Sequence, residues 1–191
     1  MADNIRDRIL AATLAEINLH GVDFHMDNLT KRLRISKRTL YEHFSSKQEI
    51  IEETMLSFAG KVYTYHCQVA NDSTLSTEEK LKAYFAISND NLDMLSVRKV
   101  NELIRKMPAI CQRIEAKTDE DWKILEQLLE EAQQSKEFKP FDTLLVLHVL
   151  RSAANDIVEY VSEADCDCSF SEYMTNCINI LLYGIKNDQY R

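Results

Sequence analysis

The sequence predicts an all-α protein of about nine helices. The chain of 191 residues contains three Gly and two Pro, which leaves little of the turn chemistry that β-hairpins need. Apolar residues recur instead at spacings of three and four, the period of one helix face. A chain of this length also buries a substantial core. These observations predict helices packed into a short N-terminal domain, residues 1–46, and a longer helical bundle, residues 47–191.

Charge divides the chain in the same way. Residues 1–50 hold eight basic and seven acidic side chains, whereas residues 51–191 hold 15 basic and 24 acidic ones, a balance of −9 in a protein of net charge −8. No apolar run approaches the roughly 20 residues that a membrane span requires. The five cysteines lack the spacing of a disulfide framework and fit a reducing compartment. We therefore expect a cytoplasmic protein with no membrane contact.

Three short helices are predicted at the N-terminus. The first runs from Asp3 to about Leu19, and Gly21 is expected to end it in the left-handed conformation. The second covers about Met26–Leu33. The third begins after Ser36, whose hydroxyl is a good N-cap for the free amides that follow.

The turn between the second and third helices lies in a basic stretch. From residue 31 to residue 47 the sequence has six basic side chains and the single acid Glu42. A charge run alone is more often a solvated helix surface. Here, however, Leu40 and Phe44 face the core, so Thr39 and Tyr41 point outward with no packing to explain them. Two short helices with basic residues opening the second form the pattern of a DNA-reading helix-turn-helix.

Residues 36–47 read Ser-Lys-Arg-Thr-Leu-Tyr-Glu-His-Phe-Ser-Ser-Lys. This segment resembles the recognition-helix signature of the TetR family of transcriptional regulators, Ser-x-x-Thr-Leu-Tyr-x-His/Tyr-Phe-x-x-Lys. The resemblance extends back through Arg8-Ile9-Leu10 and Gly21, and so covers about the first 50 residues. The sequence departs from the family at His25, where a Ser or Thr cap is usual, and at Arg34, where Gly is common. If Arg34 needs φ > 0, the cost is about 1 kcal/mol.

The resemblance implies roles for six residues on double-stranded DNA. Lys37 and Arg38 are expected to contact base edges, where Arg and Lys favour guanine. Phosphate contacts are expected from Thr39, Tyr41, His43 and Lys47. Asp27 receives no role, because an acid is ill suited to phosphates.

The bundle is predicted as a series of longer helices. A helix from Lys47 to about Cys67 precedes a capping box at Ser76-x-x-Glu79, which opens a helix reaching Leu95. Two shorter pieces, Val97–Met107 and Pro108 to about Lys117, and a helix through Trp122 to about Glu137 come next. The last two helices, capped by Asp142 and starting near Ser169, are apolar on more than one side. Each helix therefore needs a second apolar surface to pack against. We predict that these two helices form a homodimer interface of four helices, two from each subunit.

The resemblance also implies a cavity for a small-molecule effector inside the bundle. The candidate lining residues are Tyr63, His66, Tyr84, Phe85, Trp122, His148 and Asn155. His66 and His148 are better explained as hydrogen-bonded core or interface residues than as ligands. No Gly-rich phosphate loop, nucleophile elbow or His-Glu-x-x-His array occurs, so we expect neither an enzyme nor a cofactor. Cys166 and Cys168 supply half a zinc site, and without further ligands nearby we expect no metal.

Together these features predict a homodimeric TetR-like repressor that binds a palindromic operator and is released by a small molecule. The alternative is a dimer that holds DNA or a protein partner constitutively, with its cavity filled by its own side chains. A dry, undersized cavity would favour that alternative.

Overall fold

The computed structural model describes residues 5–87, 97–163 and 169–185. The all-α prediction is confirmed, and the described ranges contain nine α-helices. In chain order these are α1 (Ile5–His20), α2 (Met26–Leu33), α3 (Lys37–His43), α4 (Lys47–Asn71), α5 (Thr77–Phe85), α6 (Val97–Lys106), α7 (Pro108–Gln134), α8 (Thr143–Glu163) and α9 (Phe170–Ile185). A single 3-10 turn, Gly21–Asp23, joins α1 to α2.

The second and third helices begin where the sequence predicts, and the predicted start of the first, at Asp3, lies outside the described residues. Gly21 has φ 68°, so the left-handed end of α1 is confirmed. The Ser36 hydroxyl accepts a hydrogen bond from the Thr39 amide at 2.9 Å and caps α3. Arg34 adopts φ 55° and ψ 43°, and thus holds the left-handed position that favours glycine. The sharp turn is therefore made despite the family departure at this residue.

The core beneath these helices is shared with the rest of the chain. Apolar side chains of α1 to α4 form one buried cluster, in which Ile9, Leu29 and Leu40 are fully buried. Leu103 of α6 and Ile110 of α7 belong to the same cluster. The first turns of α4 and two helices of the bundle thus close the N-terminal core.

Helix α5 opens as predicted and ends earlier. The capping box between Ser76 and Glu79 is confirmed. The helix was predicted to reach Leu95 and instead stops at Phe85, so that part of the prediction is wrong. Side chains from other helices bond to carbonyls at its end: the Ser171 hydroxyl donates to the Phe85 carbonyl at 2.7 Å, and the Tyr65 hydroxyl lies 3.0 Å from the Ala83 carbonyl and 3.2 Å from that of Ala86. These bonds satisfy groups that a longer helix would have used.

The segment from Pro108 to Gln134 is one continuous helix, α7. The prediction of two separate pieces here is wrong. Pro108 occupies the first turn, as expected for a residue whose missing N–H costs nothing there. The polar residues between Lys117 and Trp122 continue the helix without a break.

Helices α8 and α9 begin at the predicted caps. The Asp142 carboxylate accepts from the Leu145 amide at 3.1 Å, and the Ser169 hydroxyl accepts from the Glu172 amide at 3.1 Å. Cys166 and Cys168 lie outside the described residues. Across residues 5–87, 97–163 and 169–185, no three His, Cys, Asp or Glu side chains are grouped to hold a metal ion. None of the helices in these ranges is long and apolar enough to cross a membrane.

Candidate nucleic-acid interface

Helix α3 presents one buried face and one exposed face. Leu40 and Phe44, four residues apart, pack into the N-terminal core. On the opposite side the Arg38 side chain is 89% exposed and the Lys37 side chain 62% exposed. Tyr41 is an exposed aromatic residue on this helix. Large side chains that leave the core in this way are free to enter a DNA groove.

Arg6 holds the end of α3 in place. Its guanidinium donates to the His43 carbonyl at 2.8 Å and to the Glu53 carboxylate of α4, and it lies 4.4 Å from the centre of the Phe44 ring. The hydrogen bond to Glu53 raises the pKa of Arg6. Nothing in the sequence pointed to this role, because its partners are 37 and 47 residues away.

Each of the two cations predicted to contact bases is paired with an acid. The Lys37 ammonium lies 2.5 Å from the Asp27 carboxylate of α2, and the Arg38 guanidinium lies 3.0 Å from the Glu42 carboxylate. The hydrogen bond between Lys37 and Asp27 lowers the pKa of Asp27 and raises that of Lys37. The Arg38–Glu42 pair was readable from its spacing of four residues. Asp27 was missed because its partner belongs to another helix.

The remaining candidates are less exposed. The Thr39 hydroxyl is 2.9 Å from that of Ser36, and His43 is half-buried. The Lys47 ammonium lies 4.5 Å from the centre of the Phe24 ring. Burial lowers the pKa of Lys47, while the nearby Asp23 carboxylate opposes that shift. Lys47 thus lies where α4 meets the Gly21–Asp23 turn.

Charged contacts from the bundle reach that same turn. The Lys106 ammonium pairs with the Asp23 carboxylate and, at 2.8 Å, with Glu102 of its own helix. The Glu102 carboxylate lies so close to Gly21 that a Cβ atom there would collide with it. Helix α6 therefore rests directly on the turn between α1 and α2.

Several predicted effector residues meet in the interior of the bundle. His66 of α4 is buried, and its Nδ1 lies 2.7 and 2.8 Å from the two oxygens of Asp121. The His66 ring stacks on Tyr84 with 3.8 Å between centroids. Tyr84 donates its hydroxyl to the Asp121 carbonyl at 3.0 Å and meets Phe85 edge to face. Burial raises the pKa of Tyr84 far above its usual range, so its hydroxyl keeps its proton.

Asp121 is the partner that sequence reasoning missed, although a signal existed. Asp121, Leu125, Leu128 and Ala132 fall at offsets of four, seven and eleven, which is one helix face. The last three are fully buried. An acid in line with such a stripe needs a buried partner, and His66 supplies it.

The other predicted effector residues are divided between two places. Tyr63 is half-buried and packs, with Trp122, against the bundle core. Trp122 also lies under the Arg151 guanidinium, 5.3 Å from its ring centre. The structure places His148 and Asn155 on the exposed side of α8, apart from this interior group.

That side of α8, together with α9, carries large exposed apolar residues. Val146, Leu150 and Ile157 face the bundle core. Around the helix, Leu144 and Leu145 are 69% and 58% exposed. On α9, Ile180 and Tyr183 are 73% and 69% exposed. The wide apolar stripes noted in the sequence are thus divided between an inner face and an outer one.

Comparisons with known proteins agree with this geometry. Residues 9–54 match the family model described as bacterial regulatory proteins, tetR family. The chain is 26% identical over 182 residues to an uncharacterized HTH-type transcriptional regulator, YvaF of Bacillus subtilis strain 168, and the match covers 95% of this chain and 96% of that protein.

Solved structures share the whole fold at low identity. The TetR family transcriptional regulator PfmR from Thermus thermophilus superposes with a TM-score of 0.68 at 19% identity, over 95% of this chain and all of that one. The fatty acid degradation regulator FadR from Bacillus halodurans superposes with a TM-score of 0.71 at 19% identity, over 96% and 97% of the two chains. Residues 9–54 thus match the tetR family model, and the chain as a whole shares the fold of solved structures described as TetR-family regulators.

Proposed function

We propose that the protein is a homodimeric repressor that binds a palindromic operator and is released by a small-molecule effector in the cytoplasm. The observation that carries the proposal is the combination of an exposed basic face on α3 with an exposed apolar face on α8 and α9. A single α3 contacts too few base pairs to select one site in a genome. Two copies related by a two-fold axis read two half-sites.

On DNA, we assign Lys37 and Arg38 to base edges. Both cations are at the start of α3 and far exposed, which suits entry of the helix N-terminus into the major groove. Thr39, Tyr41, His43 and Lys47 are assigned to phosphates, which fix the register of the helix. The acidic bundle repels DNA and directs it to this face.

The dimer is assigned to α8 and α9. Leu144, Leu145, Val149, Ile180 and Tyr183 leave a large apolar area in water on an isolated protomer. A second copy packed on this face removes that area from water. His148 and Asn155 are exposed on α8 and fit this interface better than an interior cavity.

The effector is assigned to the interior group around His66, Tyr84, Phe85, Trp122 and Tyr63. Helix α4 joins this group to the DNA-binding domain, because it begins beside α3 and carries His66. A ligand that binds one arrangement of α4 about 100-fold better than another changes the free energy difference between the two arrangements by about 2.7 kcal/mol. Operator affinity changes with that difference.

Selection of bound DNA from a random pool, repeated with a metabolite extract, tests the proposal. We expect a palindromic motif that is recovered without extract and lost with it. Recovery of the same motif in both cases would support the constitutive dimer. Failure to recover any motif would contradict operator binding itself.

A further inference from the structure

A buried nitrogen in the bundle has no hydrogen-bond partner in the described parts of the chain. It is Nε2 of His66, a side chain that is 4% exposed. The same imidazole is held firmly on its other side by the Asp121 carboxylate. A buried polar atom left unpaired is unfavourable, and such atoms are rare in folded proteins. In this orientation of His66, Nε2 lacks a hydrogen bond that a bound molecule can supply.

Asp121 also decides what that nitrogen offers. Because a carboxylate only accepts, the imidazole must carry its proton on Nδ1. In the neutral ring Nε2 is then a lone pair that accepts. The group that pairs with it must bring a proton, as an alcohol does.

The surroundings define the rest of the molecule. The His66 ring lies against Tyr84, which belongs with Phe85, Leu125 and Leu129 to the buried cluster of the bundle. These side chains suit a hydrocarbon body. A second buried nitrogen without a partner among the described residues, Nε of Arg151, is on the guanidinium that covers Trp122, the neighbour of Asp121. Both nitrogens thus belong to side chains that contact the same stretch of α7, at Asp119, Asp121 and Trp122.

Charge argues against an anionic ligand. The Asp121 carboxylate contacts His66 directly, and Asp119 lies 3.1 Å from the Arg151 guanidinium. The two nitrogen-bearing side chains of this region, His66 and Arg151, therefore each already face an acid. A carboxylate ligand would add a third negative charge in a medium that screens poorly.

We propose that the effector is an uncharged, largely apolar molecule with a hydroxyl group, and that this hydroxyl donates to Nε2 of His66. The inference rests on the proposed effector-responsive function and names the chemistry of its ligand. His66 contacts the ligand, and Asp121 is a positioning residue that fixes the tautomer of the ring.

The test uses full-length protein with ¹⁵N-labelled histidine side chains. Octanol, decanol and dodecanol are titrated beside the alkane of the same length, decanone and decanoate. We expect the chemical shift of His66 Nε2 to change when an alcohol is added and to remain the same when an alkane is added. Decanol should bind about ten-fold more tightly than decanone, which cannot donate, and than decanoate. An Nε2 resonance that moves with none of the alcohols would overturn the proposal and leave a water as the partner of this nitrogen.

Two variants separate binding from folding. Asp121→Leu removes the acceptor that holds the proton on Nδ1, so that the ring is free to carry the proton on Nε2, where it donates. The preference for decanol over decanone should then fall to about one or reverse, a change that a merely structural role of Asp121 would not produce. His25→Phe changes an exposed histidine between α1 and α2, outside the bundle, and should leave every alcohol titration unchanged. An unaltered alcohol preference in Asp121→Leu would contradict the tautomer argument.

Operator binding of the same preparation, measured without any probe, keeps the two proposals apart. A protein that binds its operator but whose Nε2 ignores alcohols refutes only the ligand class. A protein that binds alcohols at Nε2 but has no operator refutes the proposed function.

Discussion

The N-terminal domain and the bundle arrange their functional groups in opposite ways. Around α3 the candidate base-contacting cations are exposed, and each is held by an acid in the same small domain, as Lys37 is by Asp27. In the bundle the candidate effector residues are buried and come from distant helices, as His66 and Asp121 do at a separation of 55 residues. An exposed site tolerates weak, replaceable ion pairs, whereas a buried one requires that every polar atom find a partner.

This difference indicates how each part of the chain would select its partner, DNA at α3 and a ligand in the bundle. In the proposed DNA complex, the acid beside each α3 cation competes with DNA for that cation, so that only a partner making better hydrogen bonds displaces it. In the bundle no competitor occupies Nε2 of His66 among the described residues, so the ligand meets an unsatisfied group. Substitutions in each region test this difference.

The largest expected effect comes from Ile180→Glu. Ile180 is 73% exposed on the protomer, so the fold should survive, but in the proposed dimer the new charge is buried without a partner. That costs several kcal/mol, and we expect the dimer dissociation constant to rise by about a hundred-fold or more. Analytical ultracentrifugation and operator titration measure the two consequences.

The control for Ile180→Glu is Leu19→Glu. Leu19 is also apolar and 57% exposed, but it lies on α1. We expect that variant to remain dimeric. A dimeric Ile180→Glu protein with normal operator affinity would show that the interface lies elsewhere.

Next in size is Arg38→Ala. Loss of a base contact should weaken operator binding by about 1 to 3 kcal/mol and relax the base preference at one position of each half-site. Binding titrations combined with repeated selection measure both. Lys61→Ala, an exposed lysine in the middle of α4, should change neither. An unchanged selected motif in Arg38→Ala would remove Arg38 from the base-reading set.

Gly21→Ala should reduce the free energy of unfolding by about 1 to 2 kcal/mol. The residue has φ 68°, and its added Cβ would meet the Glu102 carboxylate of α6. Gly60→Ala is the matched control, because its Cβ meets no atom within 4 Å and alanine is the better helix former. Chemical denaturation should therefore show opposite signs for the two glycines. Adding Glu102→Ala to Gly21→Ala should recover only the part due to the collision.

The smallest expected effect is that of Asp27→Asn. Freed from its acid, Lys37 should bind any DNA about three-fold more tightly, and the ratio of specific to non-specific affinity should fall. Asp119→Asn removes another exposed carboxylate, that of the Arg151 pair, and should leave DNA affinity unchanged. Salt titrations on operator and random duplexes measure the effect. A lower affinity of Asp27→Asn for both duplexes would mean that the acid organises α3 and does not compete with DNA.

The two regions also differ in how far the sequence alone predicts them. The caps at Ser36, Ser76 and Asp142 were foreseen because capping involves residues three apart, and their bonds are present. The early end of α5 was not foreseen, because Ser171 and Tyr65 cap it from other helices. In the candidate sites, the i,i+4 pair of Arg38 was readable, whereas the contacts of Arg6, Asp27 and Asp121 were set by tertiary packing.

The shared N-terminal core matters for anyone who would build hybrid regulators from this chain. Leu103 and Ile110 pack among the side chains of α1 to α4, and α6 rests on the turn at Gly21. A graft that exchanges only residues 1–46 would place a foreign apolar surface against these two residues and a foreign turn against Glu102. A transplanted DNA-binding domain should therefore be accompanied by matching residues at positions 102, 103, 106 and 110. The new domain then keeps its packing contacts with α6 and α7 as well as its DNA specificity.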